Sequence, residues 1–436
     1  MPVRNIMTIG LAIVTCLASY SIAVRNRYAS IFSEAMEIVE SEALIEIPRR
    51  ELFDSAMDGM LGRLDANSWF VSEDDFPGFQ EDLEQQFVGV GLHFNLDPEN
   101  NCLRVVSPIP GKPAWKAGIR VGDLIMAIDG QSTAGMESDA AVRKIRGPLG
   151  TPVVLDIARA GTDDLMPIEI VREEIPVASV LGDTMREDGT WEFVLESSPR
   201  IGYIRLLEFG RKSTDELRAA LASLDGKVDG LILDLRDNPG GLLDAAVEIS
   251  DMFIGREVLV VETRRRDMSV TGQEFARSKT EIDVDLPLVV LVNENSASAS
   301  EIVAACLQDH DRAAIAGSRT FGKGTVQDLI QLEPNRSVLR LTTSSYWRPS
   351  GKNIDRTVLV PPEPGQYGVL PDPGLDVSLS DEETMNIRRL RTLRDLNGIR
   401  PDPDQPGVES AEWLESDEAM QKAIEHPQAR MFDRSA

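Results

Sequence analysis

The sequence predicts a multidomain protein that mixes α/β and α+β folding: a layered α/β domain, a small strand-rich module before it, and an N-terminal helical segment. Three observations lead there. From about Ile175 onward, short apolar runs alternate with helical patterns, as in a layered α/β domain. Between Val88 and Glu174 the texture is short strands and turns. From Ile31 to Phe87 apolar residues recur at helical spacing. A length of 436 residues agrees with about three folded units.

The elements follow in chain order. Ile6 to Val24 is a run of 19 uncharged residues, preceded by Arg4 and followed by Arg25 and Arg27. Such a run just spans a hydrocarbon core of about 30 Å. Residues 1–27 read as a membrane anchor or a signal segment, with a buried core helix as the alternative. Ser21-Ile22-Ala23 supplies small residues of the kind a signal peptidase cuts after. The expectation is an uncleaved anchor, with the rest of the chain outside the cytoplasm. Residues 28–86 read as a helical lead-in, where Leu52, Ala56 and Met60 share one helix face. Asp65-Ala66-Asn67-Ser68 breaks that pattern, and Ser72 is placed to cap a following helix. Residues 87–174 form the module. Its strands are expected at Leu103–Val106, Leu124–Ile128 (closed by Asp129-Gly130), Val153–Ala158 and Ile168–Val171, with a short helix at Ala140–Ile145.

Residues 175–380 form the layered domain. Leu231–Leu235 and Leu288–Val292 are near-continuous apolar strands, as in a sheet buried on both faces. Helices are expected at Asp215–Leu224, capped by Ser213 or Thr214, at Leu242–Phe253 and at Ser300–Leu307. Residues 381–436 read as a basic helix over Thr384–Leu396 and an acidic, solvated tail.

Composition excludes several functions. Acidic residues number 72 against 45 basic, a formal charge of −27, which argues against a nucleic-acid footprint. Cys16, Cys102 and Cys306 are too scattered for a disulfide framework or a zinc site. With His93, His310 and His426 the only histidines, no metal centre and no cofactor are expected, and a hydrolytic base need not be histidine.

Three segments carry chemistry. Asn295-Ser296-Ala297-Ser298-Ala299-Ser300-Glu301 lies between a buried strand and a helix. A serine there sits among unpaired N–H groups at a helix start, where a developing oxyanion meets ready donors. Ser298 to Glu301 equally fits a capping box that only ties down the helix. In the second segment, Gly317 to Lys323 nearly matches the phosphate-binding pattern GxxxxGK[ST]. Gly324 stands where Ser or Thr is required, and Val326–Ile330 alternates like a strand, so nucleotide binding is rejected. Lys323 between two glycines is then either a backbone-approach site or an exposed turn lysine. The third segment, Asp234-Leu235-Arg236-Asp237-Asn238-Pro239-Gly240-Gly241, leaves a buried strand through a turn that permits unusual backbone angles.

Together these segments resemble the carboxy-terminal processing proteases of the tail-specific serine protease group. Asp58-Gly59-Met60 through Leu64-Asp65 and Ser68 resembles the family's helical lead-in. Gly111 to Ile119, Gly122-Asp123, Ile128-Asp129-Gly130 and Gly147-Pro148-Leu149-Gly150-Thr151 resemble its PDZ module. The likeness runs from about residue 51 to about residue 360. It implies a layered α/β Ser-Lys protease core with an inserted PDZ module. It also implies Ser298 as nucleophile, Lys323 as general base and Gln327 as the residue supporting that lysine. Oxyanion donors would be the N–H groups of Ala299 and of Gly241, with Gly240 the alternative.

Elementary chemistry agrees with that implication. A serine hydroxyl needs a base within hydrogen-bond reach, and Ser-Lys variants of triad chemistry exist. Free lysine titrates near 10.4, so the base must be desolvated, which lowers it toward about 7–8. Gln327 would orient the amine without adding charge. The PDZ resemblance implies capture of a substrate's C-terminal carboxylate at Gly89-Val90-Gly91-Leu92, with Leu92 and Phe94 flanking an apolar pocket. The partners expected are protein or peptide substrates with exposed C-terminal tails, and the membrane through the N-terminal segment, with no nucleic acid. Oligomeric state stays open, although family members often assemble as homo-oligomers through flanking helices. The rival readings are a non-catalytic PDZ scaffold and an acyl-thioester enzyme.

Overall fold

The computed structural model describes residues 27–434, except 77, 81–85, 98–99, 110, 160, 163, 177, 187, 334–335, 357–366 and 396–409. The apolar run Ile6–Val24, and with it the expected anchor, lies outside the described residues. Among those described, no helix is long and apolar enough to cross a membrane. The chain divides into two compact units, one reaching Phe76 and taking in Gln327–Thr342, the other holding the remainder.

In the first unit, helices Arg27–Glu42 and Arg49–Leu61 form the lead-in. Pro48, with φ fixed at −57°, precedes the second helix and Gly62 closes it. Asp65 makes the expected break: its carboxylate accepts from Asn67 N at 2.7 Å and from Ser68 Oγ at 3.0 Å. The lead-in is not helical throughout. Trp69–Val71 is a strand, antiparallel to the chain at 338–340, with Phe70 opposite Leu339. Phe53 packs edge-on to Phe70 at 5.7 Å, fixing helix to strand. A three-residue strand carries too little periodicity to be seen without its partner.

The module in the second unit is an antiparallel sheet. Strands Leu92–Asp97, Cys102–Pro108, Leu124–Ile128, Pro152–Ala158 and Met166–Val171 lie side by side in that order. Alternation sets its core: Val153, Leu155 and Ile157 point inward beside Leu103, Ile125, Ala141 and Ile145. Asp129 and Gly130, with φ of 49° and 74°, make the hairpin turn that pairs Ile128 with Gln131.

The layered domain is built on four parallel strands, Ser198–Leu206, Gly230–Asp234, Leu288–Val292 and Ala314–Gly317, adjacent in chain order. Leu231, Leu233, Val290 and Val292 face helices Ser213–Leu224, Leu243–Asp251 and Ala299–Asp309. Right-handed crossovers between strands taken in sequence put all three helices on one face. Ile232, Val289 and Leu291 point the other way. That second face is covered by the C-terminal segment: helices Asp381–Asp395, Ser410–Ser416 and Glu418–Arg434 contribute Leu390, Trp413, Met420 and Ala423 to its core.

Two expectations change here. The chain around Trp413 and Asp417 is not a solvated tail: both side chains are fully buried, and Asp417 pairs with Arg236. The basic helix forms over Asp381–Asp395, and its Arg391 and Arg394 are buried against Asp395 and Asp183. In addition, helix Ser213–Leu224 starts at Ser213 itself, without a side-chain cap. The Ser213 hydroxyl instead accepts from Gly210 N and donates to Glu208 O, both at 2.9 Å, bracing the preceding turn.

Candidate active site

The three chemistry-bearing segments meet at the carboxyl ends of the parallel strands, and hydrogen bonds to main-chain carbonyls interlace them. Ala297 N donates to Asn238 O at 3.0 Å, Ser300 Oγ donates to the same oxygen at 3.0 Å, and Ser296 Oγ donates to Leu235 O at 2.8 Å. Phe321 N donates to Ser296 O at 3.0 Å, which brings in the lysine segment. Asn238 is fully buried. Its Nδ2 donates to Leu206 O at 2.7 Å and its Oδ1 accepts from Gly240 N at 2.8 Å, so it shapes the glycine turn from inside.

Ser298 occupies the strand-to-helix turn with φ 55° and ψ −113°, a backbone region that non-glycine residues rarely adopt. Holding it there costs about 1–3 kcal/mol, which the surrounding bonds must offset. Its carbonyl accepts from Glu301 N at 2.9 Å and Ile302 N at 3.0 Å, while its own N–H donates to Glu301 Oε2 at 2.9 Å. The capping reading and the chemical reading of this segment therefore coexist: Glu301 caps the helix and holds the serine main chain. The helix beneath is buried from Ala299 to Leu307, a firm base for the serine.

The glycines are required by space. A Cβ on Gly240 would sit 2.8 Å from Ser298 Cβ and 3.0 Å from Ala299 N. On Gly241, at φ 146°, it would sit 2.2 Å from Phe209 O. The two turn amides differ. Gly240 N is taken by Asn238 Oδ1, whereas Gly241 N makes no hydrogen bond among the described residues. Between the two candidates, the uncommitted donor is Gly241.

Lys323 is half-buried between Gly322 and Gly324. Gly322 has φ 84°, and a Cβ there would meet Tyr367 Cδ2 at 2.6 Å; on Gly324 it would meet Asp355 N at 2.4 Å. The lysine main chain is thus held where no side chain fits on either neighbour. Gln327 lies in the first unit on strand Thr325–Glu333, where its Nε2 donates to Thr342 Oγ1 at 3.3 Å. Thr342 is braced in turn by Asp65 and Ser68.

Sequence reasoning passed over Glu301 as more than a cap. Its carboxylate joins the serine and lysine segments through four hydrogen bonds. Oε2 accepts from Ser298 N and from Lys323 N at 2.8 Å, and Oε1 accepts from Gly322 N at 2.7 Å and Thr320 Oγ1 at 2.5 Å. Burial pushes its carboxyl above the ordinary range, and these four donors pull against that. Arg236 was also unassigned. It is gripped by Asp234 and Asp417 and fixes the start of the glycine turn. A cavity of about 1000 Å³ opens beside this turn, lined by Asp234, Arg236, Asn293 and Asn295 among others, although not by Ser298.

In the module, strand Leu92–Asp97 is the edge of its sheet, and among the described residues it pairs on one side only. Gly91 has φ 70°, and a Cβ there would strike Lys112 Cβ at 2.7 Å. Leu92 and Phe94 pack, partly exposed, on the core that contains Ala141 and Ile145. Val90 is buried in that core, and Gly89 precedes it at the end of strand Gln86–Gly89. His93 is exposed on the edge strand.

The second unit thus holds a layered α/β core with a serine at a strand-to-helix turn and an antiparallel module with an open edge strand. Comparison with known proteins gives the class, a serine-type peptidase carrying a PDZ domain. Residues 200–372 match peptidase family S41, and residues 104–159 match the PDZ domain. The chain is 37% identical over 372 residues to the carboxy-terminal-processing protease of Bartonella bacilliformis, covering 82% of this chain and 80% of the relative. Against the carboxyl-terminal-processing protease of Synechocystis sp. it is 36% identical, over 72% of this chain and 71% of that one. Against the carboxy-terminal processing protease CtpA of Bacillus subtilis it is 34% identical, over 76% and 67%. The chain belongs to the carboxy-terminal processing proteases of peptidase family S41.

Proposed function

We propose that the protein is a serine endopeptidase that cleaves the C-terminal regions of proteins by a Ser-Lys acyl-enzyme mechanism. One observation carries this reading: Ser298, held at positive φ at a helix start, and Lys323 share a main-chain anchor, with an uncommitted amide at Gly241 in the adjoining turn. In the reaction, the neutral Lys323 amine takes the proton of Ser298 Oγ as that oxygen attacks the peptide carbonyl. The N–H groups of Gly241 and Ala299 receive the oxyanion. Collapse breaks the peptide C–N bond, and the lysine returns the proton to the departing amine. Water then attacks the acyl-enzyme and gives its proton to the lysine; the ester bond to Ser298 Oγ breaks, the acyl product leaves as the carboxylic acid, and the lysine returns the proton to Ser298 Oγ. Gln327 orients the amine.

The edge strand Leu92–Asp97 supports capture of a substrate tail as an added strand, with the terminal carboxylate at Gly89–Leu92. The substrates are proteins or peptides with exposed C-terminal tails. We place the catalytic part outside the cytoplasm, on the periplasmic side, because an uncharged run of 19 residues opens the sequence.

The test is turnover of fluorescein-labelled casein, together with labelling by a fluorophosphonate. Ser298→Ala is expected to abolish both, and Lys323→Ala to lower turnover by at least a thousandfold. Wild-type turnover in either variant would refute the assignment. An inert but folded wild-type protein would favour the scaffold.

A further inference from the structure

The catalytic segments come from two separate stretches of chain, Ser298 at a helix start and Lys323 in a loop 25 residues later. Their spacing must be held to a fraction of an ångström, because a misplacement of about 1 Å can cost a hundredfold in rate. One buried carboxylate meets this demand. Glu301 has no solvent exposure, and each of its oxygens accepts two hydrogen bonds. That uses all of the roughly four lone-pair sites of a carboxylate. The partition matters. Oε2 takes one N–H from the serine residue and one from the lysine residue, so the two main chains hang from a single atom. Oε1 takes the Gly322 N–H and the Thr320 hydroxyl, holding the approach to the lysine. Thr320 Oγ1 accepts in turn from Val369 N at 2.7 Å, extending the brace to a third segment.

We propose that Glu301 is a positioning residue for catalysis: Oε2, by accepting from both Ser298 N and Lys323 N, sets the separation of nucleophile and base. Its task is to accept hydrogen bonds at a fixed reach, and its charge is incidental to that task. This inference rests on the Ser298 and Lys323 assignment above.

Two substitutions separate reach from charge. Glu301→Gln keeps the length and one carbonyl oxygen. That oxygen belongs on the Ser298 and Lys323 side, where both donors are main-chain N–H groups that cannot reverse. The new NH2 then faces Thr320, whose hydroxyl can rotate to accept, and Gly322 N, which loses its acceptor; that loss falls on the approach to the lysine and leaves the Oε2-side bonds to Ser298 N and Lys323 N intact. Glu301→Asp keeps the charge but draws the oxygens back by one methylene, out of reach of Lys323 N. In the full chain, with labelled casein as substrate, kcat is expected within about tenfold of wild type for Gln and about a hundredfold down for Asp, with KM shifted less than about twofold in each. Rates are taken per mole of folded protein, well below each variant's unfolding midpoint.

The opposite order, with Asp active and Gln dead, would overturn the proposal in favour of a charge role. Equal kcat in all three proteins, with only the unfolding midpoint lowered, would overturn it in favour of a purely structural role. If Asp does not fold, Gln alone decides: a loss greater than a hundredfold in folded Gln enzyme refutes the proposal, and a loss within tenfold upholds it. The control pair is Ser298→Ala and Lys323→Ala. If either retains full turnover, the catalytic assignment fails first. If both are inactive while Glu301→Asp matches wild type, only the positioning role fails.

Discussion

Replacing Asp417 by alanine removes the buried one of two ion pairs through which the C-terminal helices hold the catalytic turn, the other being Arg388 with Asp237. Arg236 Nη1 donates to both Asp417 oxygens, at 2.9 and 2.8 Å, while Nε and Nη2 serve Asp234. The Asp417 side chain has no exposure, so its loss leaves a buried guanidinium with unmet donors. Breaking a buried pair on one side costs about 3–5 kcal/mol. Asp417 Oδ1 also accepts from Met420 N at 3.0 Å, capping the last helix, a contact of the type worth about 0.5–2 kcal/mol. Arg236 keeps Asp234, and one of two carboxylates crowding a single guanidinium is gone, which brings the sum toward about 3 kcal/mol. For a domain of this size that is a fall of about 6–12 °C in the unfolding midpoint, followed by circular dichroism at 222 nm. Asp417→Asn, which keeps the cap and one acceptor, should fall roughly half as far. A drop of less than about 1 °C in Asp417→Ala would refute the reasoning, because it would mean that the segment is solvated and Arg236 does not depend on it.

Two further outcomes follow from the same geometry. Gly241→Ala forces a Cβ to within 2.2 Å of Phe209 O, moves the turn amide, and is expected to lower kcat on labelled casein by about 10²–10³ while the protein stays folded; kcat within twofold of wild type would remove Gly241 from the oxyanion site. For Asp234, burial alone pushes the carboxyl up, but the Arg236 charge and hydrogen bonds outweigh it and hold the group below the usual range. A depressed carboxyl contributes stability that is present above its unfolded value near 3.9 and lost as pH falls through its folded value. The unfolding midpoint should therefore decline below about pH 4, and Asp234→Asn should flatten that decline; an unchanged slope would assign the acid sensitivity to other carboxylates.

Much of the layered domain is legible in sequence because local pattern and burial coincide there. Leu231–Leu233 and Leu288–Val292 are apolar without alternation, and both strands are buried on two faces. The same pattern holds a requirement that is easy to overlook. Strands paired in chain order send their crossover helices to one face, so a second cover must come from elsewhere. It comes from the segment around Trp413, whose local composition, rich in acids and proline, reads as solvated. Composition describes the average surface of a segment, whereas one tryptophan and one aspartate at the right register decide its docking. Strand Trp69–Val71 escaped notice for a related reason: its partner is more than 260 residues away.

By itself, the sequence determined the class of protein, the order of its parts and the segments that carry the chemistry, because glycine turns, capping serines and apolar runs are local requirements written in adjacent residues. Only the tertiary structure decided which groups inside those segments are committed and which are available. Asn238 occupies the Gly240 amide and leaves that of Gly241 uncommitted, and one Glu301 oxygen joins two main chains that lie apart in sequence. Hydrogen bonds between distant segments depend on distances that no local pattern encodes.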